Sequence, residues 1–154
     1  MIIQTKFHGE IEIKEEQVIH FEKGLPGLED EKKFVILSFN EEASIYILQS
    51  ITNTSIAFFV TNPFEILANY EFELDQASIE DLEIDHSKDT NIEVIVIMTP
   101  QDPFSKTTVN LQAPVVINHL NKKAKQVILS DSSYMIKHPL FKETALGVKE
   151  WGKC

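Results

Sequence analysis

The densest group of chemically active side chains is a run of eight carboxylates between Glu71 and Asp89, which contains a single lysine. Carboxylates at alternate positions can bind calcium, but a calcium loop also needs a central glycine, and this run has none. Exposed acids can instead steer a basic protein during encounter. Glu71 and Glu73 lie with Asp75 on one face of a predicted strand, where like charges repel. Two interpretations stay open, a solvated acidic face and an acidic docking surface.

Motifs for catalysis and for cofactor binding are missing from the sequence. A nucleophilic hydrolase needs a serine or cysteine beside a base, but there is no G-x-S-x-G elbow and the single cysteine is Cys154. The five glycines form neither a P-loop nor a G-x-G-x-x-G fingerprint. The histidines lack the H-x-H or H-x-x-x-H spacing of a metal site and are scattered at His8, His20, His86, His119 and His138. The sequence therefore predicts no enzyme activity, no cofactor and no metal.

The charge of the chain is acidic and unevenly distributed. All 14 cationic side chains are lysines, and the net charge is −10. Residues 1–105 carry 6 lysines and 21 carboxylates, whereas residues 106–154 carry 8 lysines and 3 carboxylates. An acidic body attracts basic proteins and repels polyanions, although acidity can also serve solubility alone. Because arginine, the preferred partner of phosphate, is absent, we expect no direct nucleic-acid binding and interpret the lysines at 122, 123 and 125 as a solvated turn.

The chain is predicted to be soluble and cytoplasmic, without a membrane segment. Its first residues lack the charged and apolar regions of a signal peptide. Its longest apolar run, residues 94–98, is far too short to span a bilayer. The single cysteine permits no bridge within the chain, which suits a reducing compartment.

Short apolar runs separated by turn residues predict a mostly β protein. Residues 3–7 and 11–13 alternate, which indicates strands with one wet face. Other runs are apolar on both faces and should be buried strands, at residues 34–39, 45–48, 56–60, 94–98, 115–117 and 127–129. About nine strands result, and closure removes the exposed edges of such a sheet. We therefore predict a small antiparallel β-barrel-like single domain with one or two short helices.

Two short helices are predicted, and two loop phenylalanines stand out. Asp75 or Ser78 can cap a helix that ends at residue 84, and Pro63 can begin a single turn over residues 63–67. Phe64 follows Pro63 and Phe104 follows another proline, so both lie in predicted loops where a core role is less assured. We take Phe64 and Phe104 as candidate anchors for a protein partner.

Residues 108–113 alternate as a strand, with Val109 inward and Asn110 and Gln112 outward. Pro114 removes a ladder hydrogen bond, which predicts a break before the next strand. Such a break is typical of a barrel corner, where polar groups satisfy the local backbone. That role suits Asn118 better than Asn110 and Gln112, which remain candidate partner-binding residues.

Five groups of residues, in order along the chain, resemble the flagellar assembly factor FliW family. The likeness covers residues 1 to about 143, and its mild departures are Leu28 and Lys137. The groups are Phe21 with residues 24–27, residues 48–50, Phe59 with residues 62–63, residues 109–118 with 126–129, and Tyr134 with residues 137–140. We place the domain at residues 1–143 and assign no role to the tail at residues 144–154.

The resemblance implies a non-enzymatic regulator with a small barrel-like fold. Members of the family bind the translational repressor CsrA, a small basic RNA-binding dimer, and prevent it from silencing flagellin messenger RNA. They also bind flagellin, which implies partner switching. Glu71, Glu73 and Asp75 are then the candidates for steering CsrA.

Two alternatives belong to other functional classes. An export chaperone would mask the termini of flagellin without affecting CsrA. A small-ligand barrel or an enzyme would need a deep polar-lined cavity, and a filled interior would contradict it.

Overall fold

The computed structural model describes residues 1–85, 87, 91–130, 132–143 and 149–151. His86, Asp89, Cys154 and most of the predicted tail lie outside these residues. The α-helices are α1 (Pro63–Ile66) and α2 (Gln76–Asp81), and single turns of 3-10 helix span Glu15–Gln17 and Phe104–Lys106. The strands are β1 (Ile2–Thr5), β2 (Gly9–Glu12), β3 (Ile19–His20), β4 (Lys33–Asn40), β5 (Ile45–Ser50), β6 (Ala57–Thr61), β7 (Ile92–Thr99), β8 (Thr108–Val109), β9 (Val115–Asn118), β10 (Lys123–Gln126), β11 (His138–Pro139), β12 (Phe141–Glu143) and β13 (Lys149–Trp151).

Seven of the strands close into a ring. Neighbours pair in the order β7, β6, β5, β4, β3, β10 and β9, and β9 returns to pair with β7. These pairs are antiparallel except β3 with β10, which meet in parallel where His20 lies opposite Lys123. Closure leaves each ring strand with two neighbours, which is how a small barrel removes its edges. The predicted fold class, mostly β, antiparallel and barrel-like with short helices, is confirmed.

Apolar side chains fill the interior of the ring. One core cluster takes buried residues from every ring strand, so it must occupy the enclosed space: Ile19, Phe34, Leu48, Val60, Ile95, Val115, Ile117 and Ala124, with Phe21 beside them. Because single-residue alternation sends these side chains inward, the neighbouring positions face outward. This apolar packing is the filled interior that the sequence analysis set against a small-ligand barrel.

Two further clusters cover the outside of the ring. Ile3 within β1 and Ile13 just after β2 pack with Val18 and Val35. A larger cluster lies between the ring and the segments around the helices, and it includes Tyr70 and Leu82. This second layer matters for function because it supports residues 70–75, which carry the first three acids of the run.

Asn118 ties the end of α2 to the β9–β10 turn. Its side chain is fully buried, its Nδ2 donates to the carbonyl oxygen of Leu82 at 3.0 Å, and its Oδ1 accepts from the Leu120 N–H at 3.1 Å. Both halves of the amide are therefore used. The local role predicted for Asn118 holds, and a contact across 36 residues is added to it.

We expect Asn118→Ala to lower the free energy of unfolding by about 2–3 kcal/mol, because buried backbone groups lose their partners. Asn121→Ala is the matched control, since Asn121 also donates to Leu82 at 3.0 Å but is only half-buried. Its cost should stay near 1 kcal/mol. Equal midpoints and slopes for the two variants in urea denaturation would contradict the assignment.

The strand predicted at residues 127–129 was misplaced. β10 instead spans Lys123–Gln126, where the sequence indicated a turn. The turn is tighter than predicted because Lys122 adopts a left-handed φ of 61° and Asn121 Oδ1 accepts from the Lys123 N–H at 3.1 Å. Pro114 has no N–H to donate, so the assigned strand ends at Gln126, although Val127 and Leu129 still donate to the carbonyl oxygens of Pro114 and Gln112. Ile128 is 57% exposed rather than buried.

The strand predicted at residues 108–113 is also shorter than expected. β8 ends at Val109, and a turn follows because Asn110 Oδ1 accepts from the N–H groups of Gln112 and Ala113, both at 3.1 Å. Asn110 therefore satisfies local backbone, a role that the sequence assigned to Asn118. The inward positions were predicted correctly and are buried at Val109, Leu111 and Ala113.

The end of β4 is more exposed than predicted. Phe34 and Val35 are buried, but Phe39 is 51% exposed. Its ring packs against Phe59 and Phe7, with centroids 5.0 and 6.3 Å away. The outer face of β4 is covered by the hairpin cluster at Val35 and, partly, at residue 37, so its last residues extend beyond that cover.

The helices begin as predicted. Asn62 Oδ1 accepts from the Phe64 N–H at 2.8 Å at the start of α1, and Asp75 Oδ1 accepts from the Ser78 N–H at 3.0 Å at the start of α2. α2 ends at Asp81 rather than at residue 84. The helix cannot continue because Glu83 has a φ of 53°, in the left-handed region.

Candidate protein-binding surface

Glu71, Glu73 and Asp75, here called the acidic row, share one exposed face of an extended segment. Their side chains alternate with Phe72 and Leu74, which are half-buried against the outer core. The predicted shared face is therefore found. The predicted strand is wrong, because residues 71–75 form no ladder with any described strand.

Tyr70 and Tyr134 hold residues 71–75 against the rest of the domain through hydrogen bonds and ring packing. The Tyr134 hydroxyl donates to the carbonyl oxygen of Glu71 and accepts from its N–H, both at 3.0 Å. The Tyr134 ring lies 4.6 Å from that of Tyr70, whose hydroxyl donates to the Leu111 carbonyl oxygen at 2.7 Å. Burial raises the pKa of Tyr70 well above its ordinary value, with a smaller contribution from Tyr134. Both rings thus hold the acidic row in place without using its carboxylates.

An open cleft, here called the acidic cleft, lies beside the acidic row. Its opposite wall is the chain that follows β10, where Ile128 presents an exposed apolar side chain. The cleft thus combines carboxylates with apolar surface. Its lining is Glu71, Phe72, Glu73, Asp75, Val127, Ile128, Leu129, Ser130 and Ser132.

Glu71 and Glu73 have no salt-bridge partner among the described residues. Asp75 differs because its carboxylate caps α2, and hydrogen bonding from Ser78 lowers the pKa of Asp75 below its ordinary value. The acidic row thus holds two carboxylates available to a cationic partner and one that is engaged in the fold.

The lysines of β10 neutralise other acids of the run. Lys125 Nζ lies 2.9 Å from Asp81 Oδ2, and hydrogen bonding from Lys125 lowers the pKa of Asp81. Lys123 contacts Glu22 at 2.6 Å and also Glu83, and the hydrogen bond to Glu22 raises the pKa of Lys123. The predicted solvated lysine turn is therefore wrong at residues 123 and 125. The sequence could not show this, because the Asp81 and Glu83 contacts join residues 40 or more apart.

Phe64 lies next to the acidic row. It is 43% exposed, and its ring meets Tyr70 edge-on at 5.8 Å. Phe64 and Glu71 line a second open cleft, here called the apolar cleft. The remaining lining residues are Tyr70, Phe72, Leu74, Ile92, Val94 and Val116. The structure thus brings one predicted anchor, Phe64, beside one predicted steering residue, Glu71.

The other candidate residues lie apart from that surface or behind it. Phe104 is also 43% exposed, but it packs on Phe141 at 5.6 Å and lines neither cleft. Asn110 is used in its turn. Gln112 lines neither cleft, and its carbonyl oxygen accepts from the Leu129 N–H at 2.8 Å. Ile128 and Tyr134 were missed as site residues, because Ile128 was predicted to be buried and no pattern links Tyr134 to Glu71.

The cap at Asp75 should make stability depend on pH. A carboxyl whose pKa is lowered by folding adds stability above its ordinary pKa, and this is lost as the pH falls through the folded pKa. Asp75→Asn keeps a capping oxygen without the charge. We expect the variant to unfold at lower urea than the parent at about pH 6, and the difference to vanish by about pH 2. A difference that stays constant with pH would contradict this role.

Neither a metal-binding group nor a membrane-spanning helix is found in the described part of the chain. No three histidine, cysteine, aspartate or glutamate side chains there lie together in a group that could hold a metal ion. None of its helices has the length and apolar character needed to cross a bilayer. His86 and Cys154 are outside the described residues.

Comparison with known proteins gives a consistent family. The model of the FliW protein family matches residues 2–140. Flagellar assembly factor FliW of Bacillus subtilis (strain 168) is 51% identical over 140 residues, which cover 91% of this chain and 96% of that protein. The homologue from Geobacillus kaustophilus is 45% identical over 143 residues, which cover 93% and 97%. A crystal structure of the flagellar assembly factor FliW superposes with a TM-score of 0.86 at 43% identity, covering 94% of this chain and all of that one. The chain therefore belongs to the FliW family of flagellar assembly factors.

Proposed function

We propose that this protein is a non-enzymatic regulator that binds the translational repressor CsrA and antagonises its repression of flagellin messenger RNA. Flagellin is the competing partner in this proposal. The observation that carries it is the exposed Phe64 beside Glu71, the first residue of the acidic row, in which Glu71 and Glu73 have no described lysine partner. Membership of the FliW family supports the flagellar context.

The chemistry of this surface suits a basic protein. Carboxylates steer an oppositely charged partner and raise the association rate, an effect that salt screens beyond about 8 Å at physiological ionic strength. Affinity must come from desolvated apolar anchors, for which the half-exposed Phe64 beside Tyr70 is the candidate. Steering and anchoring would therefore be separate contributions from neighbouring residues.

Antagonism would act by repulsion of RNA rather than by competition for it. The chain carries a net charge of −10 and no arginine. Placed beside an RNA-binding protein, such a body lowers the local potential and disfavours phosphate. This requires no contact between the chain and RNA, and we place the encounter in the cytoplasm, where a translational repressor meets its messenger.

The experiment is a competition between the two proposed partners. CsrA is first bound to the immobilised chain, and flagellin is then titrated in while released CsrA is measured. A parallel assay records binding of CsrA to flagellin leader RNA. We expect flagellin to release CsrA and to restore its RNA binding.

Two outcomes would contradict the proposal. Failure of the chain to bind CsrA, or to change its RNA binding, would leave a flagellin chaperone as the better description. A ternary complex in which flagellin displaces nothing would contradict partner switching.

A further inference from the structure

We propose that the acidic cleft takes an extended peptide segment of a partner as an added β-strand. Lysine or arginine side chains at alternate positions of the segment would meet the acidic row, and the intervening apolar side chains would meet Ile128. This inference rests on the proposed function, since it concerns the same acidic row. It adds the partner's binding mode, which is carried by the backbone of the cleft.

The first wall of the cleft is an extended segment that follows β10 and has one open edge. The N–H groups of Val127 and Leu129 donate to the carbonyl oxygens of Pro114 and Gln112, both at 2.8 Å. This continues the β9–β10 register, in which Gln126 lies opposite Val115. Peptide groups alternate in direction along an extended chain, so those of Ile128 point to the opposite edge.

That opposite edge has no described neighbour. The strand on that side of β10 is β3, which meets it only at Lys123 opposite His20. The Ile128 N–H makes no hydrogen bond to any described residue. Ile128 therefore offers a donor and an acceptor in its wall of the acidic cleft, and exposed extended edges of this kind are templates for an incoming strand.

The second wall is extended as well. In residues 71–75 the N–H of Glu71 is taken by Tyr134, whereas those of Phe72, Glu73 and Leu74 have no partner in the described structure. Side chains two residues apart on an extended chain are about 7 Å apart on one face. The acidic row therefore matches the spacing of cationic side chains at alternate positions of an extended ligand.

Charge selects the occupant among strand-forming segments. A second copy of this chain would bring another acidic row to the edge and a net charge of −10, so like charges would oppose edge-to-edge pairing. A segment with alternating cations gains Coulomb attraction at the same edge. The proposed occupant is therefore a segment of another protein in which basic side chains alternate with apolar ones.

The probe is a seven-residue peptide of alternating lysine and valine with blocked ends, and its control has glutamate in place of lysine. We expect the lysine peptide to bind at least about tenfold more tightly than the control. Saturation with it should slow hydrogen exchange at the Ile128 amide by at least about tenfold, because that N–H becomes hydrogen-bonded. Binding without protection of this amide would overturn strand addition.

Two variants separate the backbone from the side chain. Ile128→Ala and Ile128→Pro both remove the isoleucine, but only proline also removes an N–H that the fold does not use. We expect the proline variant to bind the lysine peptide about tenfold more weakly than the alanine variant, since one peptide carbonyl loses its donor. Thermal unfolding of both variants checks that they fold. Equal affinities for two folded variants would overturn the proposal.

If Ile128→Pro does not fold, the parent protein is tested instead with a lysine peptide that is N-methylated at alternate residues and so cannot donate those backbone hydrogen bonds. If this peptide binds as tightly as the unmethylated lysine peptide, strand addition is overturned. Sedimentation showing self-association of the chain that the lysine peptide fails to disrupt would assign the edge to a second copy and overturn the proposal.

Failure of the proposed function can be distinguished from failure of strand addition. If CsrA binding depends on the acidic row but Ile128→Pro and Ile128→Ala bind the lysine peptide equally, the proposed function stands and strand addition is overturned. If the lysine peptide binds and protects the Ile128 amide but the chain does not bind CsrA, strand addition stands and the proposed function is overturned.

Discussion

A variant carrying Glu71→Lys, Glu73→Lys and Asp75→Asn is expected to associate with purified CsrA at least about tenfold more slowly at low ionic strength. The reason is that two unpaired carboxylates of the acidic row would repel a basic partner instead of attracting it. Asparagine is chosen at residue 75 because it preserves a side-chain oxygen for the α2 cap. Stopped-flow association at about 20 and 150 mM salt measures the rate, and the difference should shrink at the higher salt.

The matched control separates a local surface from net charge. Glu15→Lys, Glu16→Lys and Asp30→Asn make the same change in charge at exposed residues that line neither cleft. We expect less than about a threefold effect from this control. Equal slowing by both variants would mean that total charge alone matters, and an unchanged rate for the first variant would remove the acidic row from the proposal.

Much of the barrel could be predicted because its strands carry local signals. Runs such as residues 45–48 and 94–98 are rich in β-branched residues and proved to be ring strands β5 and β7. The start of each helix was readable, since Pro63 takes the first position of α1 and Asp75, one of the two candidate caps, precedes α2. The misplaced strand near Lys123 shows the limit, because polar residues entered the sheet through pairing with β9 and β3.

The candidate surface was only partly predictable, for a related reason. Alternation along residues 71–75 predicted one shared acidic face without any knowledge of tertiary contacts. The opposite wall of the cleft comes from residues 127–132, and the tyrosine that holds Glu71 is 63 positions away. Contacts of that separation leave no periodic pattern. Neutralisation of Asp81 by Lys125 was hidden in the same way, so local charge counts could not distinguish engaged acids from available ones.

Replacing Phe64 by alanine should weaken the CsrA complex by at least about tenfold, because an aromatic side chain that becomes desolvated at an interface is a typical hot spot. Phe64 borders the acidic row through Glu71, so a partner steered there would cover its exposed ring. The effect should appear mainly in the dissociation rate, in contrast to the association effect of the acidic row. Surface plasmon resonance on immobilised CsrA measures both rates.

Phe104→Ala is the control that the chain itself provides. Phe104 is equally exposed at 43%, and it packs edge-on against Phe141 as Phe64 does against Tyr70. Because Phe104 lines neither cleft, we expect its loss to change the dissociation rate by less than about threefold. A stronger effect at Phe104 than at Phe64, with both variants folded, would move the anchor to the Phe141 side of the molecule. Because the rates are recorded separately, that result would leave steering by the acidic row standing and would require CsrA to reach both surfaces at once.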